Sequence, residues 1–213
     1  MAITTALFDL DGTIVDTNEL IIQSFLHTLE GETAEPFTRE RIIPHMGFPL
    51  LEQLRFFTGK DEVDELAVKY RKFNLDKHDE LVKEFPYVRE VLAELKRRGV
   101  RMGVVTNKMR TTTLMGLKLC GLESYMDTIV TVDDVARGKP DPESVLKALK
   151  LLNARPDETV MVGDSQYDIV AGREAGAKTV GVAWSLKGED HLREFSPDFI
   201  VRDMRELLDI VGA

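Results

Sequence analysis

The chain of 213 residues has a single cysteine, Cys120. One cysteine excludes a disulfide framework within the chain, and it excludes a structural zinc site built from several cysteines. No stretch approaches the roughly 20 apolar residues that cross a bilayer, so no membrane partner is expected. Residues 1–9 reach an acidic side chain early and contain no basic segment, which argues against a signal peptide and favours a cytoplasmic protein.

Basic residues are also fewer than acidic residues. Lysine and arginine total 28 against 37 aspartate and glutamate residues, which gives a formal net charge of −9. Nucleic acids are bound by clustered basic side chains, so no nucleic-acid partner is expected. If the substrate is a small anion, a metal ion and a few placed basic groups must attract it against the overall negative field.

Short β-branched runs alternate with longer helical patterns over most of the chain. This alternation is typical of βαβ units and predicts an α/β fold, a Rossmann-like three-layer α/β/α core with a parallel sheet. The predicted strands are 4–8, 101–105, 128–131, 159–162, 179–183 and 199–201. The predicted helices are 88–98, 110–120, 143–152, 167–175 and 204–211.

One region interrupts the alternation, because residues 16–81 show helical periodicity and no convincing strand. The segment is far longer than a crossover between parallel strands requires. It therefore predicts a helical cap inserted after the first strand. The predicted division is a core of 1–15 and 82–213 and a cap of 16–81.

Acidic side chains follow the first predicted strand directly, at Asp9 and Asp11. Residues i and i+2 of an extended segment point to the same side, so both carboxylates face one locus. Two roles fit such a pair, a nucleophile or metal ligand and a proton shuttle. The alternative is an acidic turn that only caps the following helix.

Polar residues follow the other predicted strands as well, and the carboxyl ends of parallel strands are where ligand sites form. Asp164 and Asp168 follow the fourth strand, and carboxylates of this kind suit Mg²⁺, although Asp164 alone is also a good helix cap. Lys139 lies in a proline-rich loop after the third. Thr106 and Asn107 follow the second, where they either cap a helix or hold a phosphoryl group at its N-terminus.

Four segments together resemble the ordered motifs of the haloacid dehalogenase (HAD) superfamily of phosphohydrolases: Asp9-Leu10-Asp11-Gly12-Thr13, Thr106-Asn107, Lys139-Pro140 and Gly163-Asp164-Ser165 with Asp168. The helical insertion resembles the C1 cap of that superfamily. Further segments resemble its PpaX-type inorganic pyrophosphatases, among them Tyr70-Arg71 with Phe73-Asn74, and Leu186-Lys187-Gly188. The phosphoglycolate phosphatase branch usually has Pro-Gly where the cap returns to the core, and this chain has Pro86-Tyr87.

The resemblance implies a role for each motif residue. Asp9 would attack phosphorus and become an aspartyl-phosphate, while Asp11 would protonate the leaving group and then deprotonate the hydrolytic water. Mg²⁺ would be held by Asp9, the backbone carbonyl of Asp11 and Asp164, with Asp168 orienting these ligands.

The same resemblance assigns the substrate contacts. Thr106 and Lys139 would bind the transferring phosphoryl oxygens with help from the Asn107 backbone. The cap would select the substrate, and the loop at 44–50 with Gly47 would close over the site, unless it is a plain turn between helices. Basic residues proposed to contact a second phosphate are Arg41, Arg55 and Lys108.

The expected function is Mg²⁺-dependent hydrolysis of inorganic pyrophosphate to orthophosphate. The first alternative is hydrolysis of phosphoglycolate or another small phosphomonoester. A phosphomutase activity ranks below it. A receiver-like signalling module also pairs acids with a threonine and a lysine around Mg²⁺, but it needs no insertion of this size. The sequence carries no signal for the oligomeric state.

Overall fold

The computed structural model describes residues 2–211. Its strands in chain order are β1 Thr5–Phe8, β2 Val15–Asp16, β3 Lys83–Glu84, β4 Arg101–Val105, β5 Thr128–Val130, β6 Thr159–Gly163, β7 Lys178–Val182 and β8 Phe199–Val201. Six of them form one parallel sheet in the order β5-β4-β1-β6-β7-β8. The predicted parallel sheet is therefore confirmed, with strand bounds within about one residue of those expected.

The helices in chain order are α1 Asn18–Leu29, α2 Arg39–Ile42, α3 Leu50–Thr58, α4 Asp64–Leu81, α5 Val88–Arg97, α6 Arg110–Leu119, α7 Glu143–Leu152, α8 Gln166–Glu174, α9 Glu189–Glu194 and α10 Leu207–Ile210. Successive residues of β1 point to opposite faces of the sheet and enter different apolar clusters. Ala6 and Phe8 pack with residues of α5 and α10, whereas Leu7 packs with residues of α7. Helices thus cover both faces, as the three-layer prediction requires.

The strand order sets where a site can form. After β1 the chain builds β4 and β5 on one side, then returns to place β6 on the other side of β1. Such a reversal opens a crevice at the carboxyl ends of the strands next to it. The residues that follow β1, β4 and β6 therefore meet at one edge of the sheet.

The helical segment from α1 to α4 contains an apolar cluster separate from the two of the sheet. Its members include Ile22, Phe25, Leu54, Phe57 and Tyr70. A two-stranded antiparallel ribbon of β2 and β3 joins this segment to the rest, with Val15 opposite Glu84 and Asp16 opposite Lys83. The division into a core of 1–15 and 82–213 and a cap of 16–81 stays a prediction, and the separate cluster supports it.

Several elements differ from expectation, among them the helix α9, which was not predicted. The predicted helix 204–211 is a 3-10 turn, Met204–Glu206, followed by the short α10, because the Asp203 side chain accepts the Arg205 backbone N–H and starts a tight turn. The strands β2 and β3 were not predicted, since two-residue strands carry no periodic signal. Among residues 2–211, none of the helices has the length and apolar character needed to cross a membrane.

Candidate active site

Asp9 lies directly beyond the central strand β1. Its backbone N–H donates to the carbonyl oxygen of Val162 at 2.9 Å, so the sheet fixes the backbone that carries its carboxylate. The turn that follows approaches Asp164 closely. Gly12 has φ +77°, and a Cβ there would lie 2.6 Å from Oδ2 of Asp164. Glycine is therefore required both for the backbone conformation and for the space.

Three carboxylates converge at this edge of the sheet. Asp9, Asp164 and Asp168 each offer an oxygen, and these atoms lie within 4.8 Å of one another. Asp168 is fixed at the start of α8, where its Oδ2 accepts from the backbone N–H of Ser165 at 3.1 Å and from the Ser165 hydroxyl at 2.6 Å. Gly163 makes room for it, since a Cβ at that position would lie 2.2 Å from the Asp168 Cβ.

Lys139 brings positive charge into this cluster, and its side chain is only 2% exposed. Its Nζ donates to Oδ1 of Asp9 at 2.7 Å, to Oδ1 of Asp168 at 2.5 Å and to the Val105 carbonyl oxygen at 2.8 Å. An ammonium group has three N–H donors, so these partners use all of them. Binding of a phosphoryl oxygen by Lys139 stays a prediction.

Burial perturbs the ionisation of these groups. It raises the pKa of Asp9 to about 7, against the opposing charge of Lys139. It also raises the pKa of Asp164 well above its usual value, and the neighbouring carboxylates of Asp168 and Asp9 add to the rise. Burial lowers the pKa of Lys139, but Asp168 and Asp9 outweigh that effect, so its pKa is above the ordinary lysine value.

The donor set fits a hard divalent cation. Two carboxylates with raised pKa values lie beside a third carboxylate, and the charges of Lys139 and Lys187 do not cancel the effect of burial on Asp164. Mg²⁺ takes oxygen ligands, and a cation among such groups restores the ionised form of the acids. Asp9, Asp164 and Asp168 are thus the residues that could hold it.

The Asp11 carboxylate has different partners from this cluster. Its Oδ1 accepts from the Thr17 hydroxyl at 2.7 Å, and Nζ of Lys108 lies 3.0 Å and 3.1 Å from its two oxygens. Asp9 and Asp11 both line one cavity, as their spacing predicts. The carboxylate of Asp11 is therefore held by a hydroxyl and a lysine on the cavity wall.

Asn107 links two loops through its side-chain amide. Its Oδ1 accepts from the backbone N–H of Lys139 at 2.8 Å, and its Nδ2 donates to the carbonyl oxygens of Lys139 and Gly47, both at 2.9 Å. The sequence pointed to phosphate binding or helix capping by Asn107, so the role of its side chain in linking two loops was missed. Thr106 and Asn107 both line the cavity, where phosphate binding by them stays a prediction.

The loop at Gly47 lies over the site. Gly47 has φ +95°, and a Cβ there would lie 3.1 Å from the Ser165 hydroxyl. Next to it, Phe48 stacks on Tyr167 with 5.0 Å between ring centroids. Nζ of Lys187 donates to the carbonyl oxygen of Met46 at 2.7 Å. Asn107, Tyr167 of α8 and Lys187 thus each contact residues 46–48.

A cavity of about 510 Å³ lies between the strand ends and the helical segment. Its lining includes Asp9, Asp11, Thr106 and Asn107 on the sheet side. On the helical side it includes Ile21, Gly47, Leu50, Gln53, Tyr70, Arg71, Asn74 and Leu75. Asp9 of the buried acid cluster thus lines a chamber that could hold a small molecule.

The basic residues predicted for a second phosphate have different surroundings. Lys108 lines the cavity beside Asp11. Arg55 also lines it, but its Nε donates to the Asp61 carbonyl oxygen at 3.1 Å. Arg41 instead lies over the Phe37 ring, 4.3 Å from its centroid. Sequence reasoning did not single out Arg71 for this role, and the signal available was its place in the Tyr70-Arg71 segment.

The arrangement corresponds to a known class of hydrolases. The model of the family described as haloacid dehalogenase-like hydrolase matches residues 6–182. The chain belongs to this family, which confirms the resemblance seen in its four motifs and the prediction of a hydrolase.

Close relatives extend over the whole chain. It is 50% identical over 212 residues to pyrophosphatase PpaX of Bacillus velezensis, covering 99% of this chain and 97% of the relative. It is 49% identical over 212 residues to pyrophosphatase PpaX of Bacillus cereus, covering 100% and 98%.

Solved structures share the fold. A hydrolase from Pseudomonas syringae has a TM-score of 0.84 at 28% identity, covering 97% of this chain and 96% of the other. A haloacid dehalogenase-like family hydrolase from Streptococcus pneumoniae has a TM-score of 0.86 at 25% identity, covering 97% of both chains. The predicted fold class is therefore confirmed by comparison as well as by the sheet itself.

Proposed function

We propose that this chain is a Mg²⁺-dependent pyrophosphatase that hydrolyses inorganic pyrophosphate to orthophosphate through an aspartyl-phosphate on Asp9. The observation that carries the proposal is the convergence of Asp9, Asp164 and Asp168 with Lys139, beside a cavity that Asp9 lines. The pyrophosphatase relatives, about half identical over full length, support the choice of substrate. A cytoplasmic location is part of the same proposal.

The first step transfers a phosphoryl group to Asp9. Lys139 holds Oδ1 of Asp9 at 2.7 Å, which fixes the carboxylate while its other oxygen attacks phosphorus. The bond from phosphorus to the bridging oxygen breaks, and its electron pair stays on that oxygen. Asp11 in its protonated form gives this oxygen a proton, and orthophosphate leaves.

The second step returns the enzyme to its starting state. Asp11, now ionised, takes a proton from water, and the water oxygen bonds to phosphorus. The bond between phosphorus and the Asp9 oxygen breaks, which restores the carboxylate and releases the second orthophosphate. Thr17 and Lys108 hold Asp11 in one orientation for both proton transfers.

The remaining groups bind and orient. We propose that Thr106 and the backbone of Asn107 bind oxygens of the transferring phosphoryl group, and that Lys139 provides its positive charge from behind Asp9. When bound by Asp9, Asp164 and the Asp11 backbone carbonyl, with Asp168 orienting them, Mg²⁺ would neutralise the repulsion between an anionic nucleophile and an anionic substrate.

The substitution Asp9→Asn tests the covalent route. We expect steady-state release of orthophosphate from pyrophosphate with Mg²⁺ to fall by at least about 10³-fold, because the amide is a poor nucleophile. Thermal unfolding should show a folded protein. The matched control is Asp61→Asn, which makes the same chemical change at an exposed residue and should keep full turnover. Turnover near wild type in folded Asp9→Asn protein would contradict the mechanism.

One observation favours a second candidate, a phosphatase for phosphoglycolate or another small phosphomonoester. The cavity of about 510 Å³ has apolar side chains in its lining, among them Ile21, Leu50 and Leu75, and could enclose an organic leaving group. Specificity constants measured side by side for pyrophosphate, phosphoglycolate and a sugar phosphate decide between the two. A constant for either ester above that for pyrophosphate would reject the pyrophosphatase proposal.

A further inference from the structure

We propose that Arg71 of α4, together with Lys108, binds the phosphoryl group that leaves when a diphosphate is cleaved. Arg71 would thereby be the residue of the helical segment that selects a diphosphate over an ester with an uncharged leaving group. The inference rests on the proposed function and deepens it, because it assigns the second half of the substrate to named side chains.

The position of the leaving group follows from the two aspartates. The transferring phosphorus must lie against Asp9, and the bridging oxygen must lie within reach of Asp11 to receive its proton. The leaving half therefore extends from Asp11 into the cavity. Helix α4 contributes Tyr70, Arg71, Asn74 and Leu75 to the wall of this cavity.

Lys108 lies beside Asp11, where the leaving half of the substrate begins. Its Nζ lies about 3 Å from both oxygens of Asp11, and its side chain is 11% exposed. A group bonded to the oxygen that Asp11 protonates must pass next to this ammonium. Lys108 thus supplies one positive charge at the near side of the leaving phosphoryl group.

Arg71 supplies the second charge from the opposite wall. Its Nε is buried and has no hydrogen-bond partner among residues 2–211. Buried donors are normally paired, so one that borders a cavity indicates an acceptor that binds there. A phosphate oxygen is an acceptor that matches the guanidinium group in charge and geometry.

The chemistry of the leaving group decides which substrate benefits. The orthophosphate that leaves carries its negative charge on several oxygens that accept hydrogen bonds, whereas a sugar carries no charge and p-nitrophenolate has a single charge delocalised over its ring. Two cations on opposite walls therefore stabilise a diphosphate far more than a simple ester. Among the other basic residues considered, Arg41 lies over Phe37, and Nε of Arg55 is engaged by the Asp61 carbonyl.

The kinetic test compares Arg71→Ala with Lys72→Ala, which removes a positive charge at the neighbouring, exposed position of the same helix. For Arg71→Ala we expect kcat/KM for pyrophosphate to fall about tenfold to 100-fold, as loss of a charge-assisted hydrogen bond predicts. With p-nitrophenyl phosphate the change should stay within about twofold. Arg71→Lys should recover part of the loss, and Lys72→Ala should change the kcat/KM of neither substrate. Equal losses on both substrates, or a larger loss on phosphoglycolate than on pyrophosphate, would overturn the assignment.

A binding test works without turnover and separates this inference from the proposed function. In the Asp9→Asn background with Mg²⁺, calorimetry would measure the Kd of imidodiphosphate and of orthophosphate. Adding Arg71→Ala should raise the Kd for imidodiphosphate at least tenfold and leave that for orthophosphate unchanged. An unchanged Kd for imidodiphosphate would reject the role of Arg71. If this selective loss occurs but the wild type does not hydrolyse pyrophosphate, the proposed function fails and the diphosphate site remains.

Discussion

Replacing Lys139 with methionine would remove the positive charge at the centre of the acid cluster. The side chain is 2% exposed and donates to Asp9, Asp168 and the Val105 carbonyl. Methionine fills a similar volume but offers no donor. Two buried carboxylates would lose their shared counter-ion, and Asp164 would still lie beside them.

The size of the effect follows from that burial. Removing one partner of a buried ion pair destabilises a protein by about 3–5 kcal/mol, because the remaining charge is left unpaired. For a chain of this length each kcal/mol lowers Tm by about 2–4 °C, so Lys139→Met should lower Tm by about 6–20 °C in metal-free buffer. Adding Asp168→Asn should recover part of the loss, since it removes one of the unpaired charges.

Urea unfolding followed by circular dichroism, with a chelator present, measures the difference in free energy of unfolding between Lys139→Met and wild type. The control is Lys60→Met, which breaks an ion pair with Glu32 whose side chains are 50% and 29% exposed. Such a surface pair contributes about 1 kcal/mol or less. If Lys139→Met destabilised the protein no more than Lys60→Met, the reasoning about the buried cluster would be wrong.

Two further predictions concern the same carboxylates. The pKa of Asp9 is about 7 in the folded protein, against an ordinary value of 3.8, so the folded state binds more protons between these pH values. Asp9 therefore contributes stability that is lost as pH rises from about 4 to 7. Metal-free Asp9→Asn should therefore gain stability relative to wild type over that range, as measured by urea unfolding, and a constant difference would refute this. Gly163→Ala places a Cβ 2.2 Å from that of Asp168, and we expect it to lower kcat/KM for pyrophosphate at least tenfold. The control is Gly99→Ala, whose Cβ meets no side chain. Because Gly99 has φ +77°, this control should lose stability but keep its kcat/KM.

The acid cluster was predictable because its members are close to strands in sequence. Asp9 and Asp164 each follow an apolar run that is long enough to be a strand, and parallel strands bring their carboxyl ends together. Local sequence therefore specified where each side chain would lie. The three-layer fold was predictable for the same reason, since strand and helix patterns alternate.

Other parts depend on contacts between distant segments that no local pattern encodes. The Asn107 amide joins Lys139 to Gly47, which are 92 positions apart in the chain. Arg71 lies on a helix whose cavity-facing side is set by packing against α1, and Lys187 reaches Met46 across 141 positions. A single sequence offers no periodicity that would reveal such partners.

The chain leaves the sheet for the helical segment at β2 and returns to it at β3, so both crossings lie in one short ribbon. Because Val15 pairs with Glu84 and Asp16 with Lys83, the two crossings are bonded to each other and must bend together. The helices beyond the ribbon share their own apolar cluster, which a tilt would leave intact. We therefore expect the helical segment to rock about this ribbon. In hydrogen exchange, the amide hydrogens of residues 46–48 should then exchange with solvent long before those of β1.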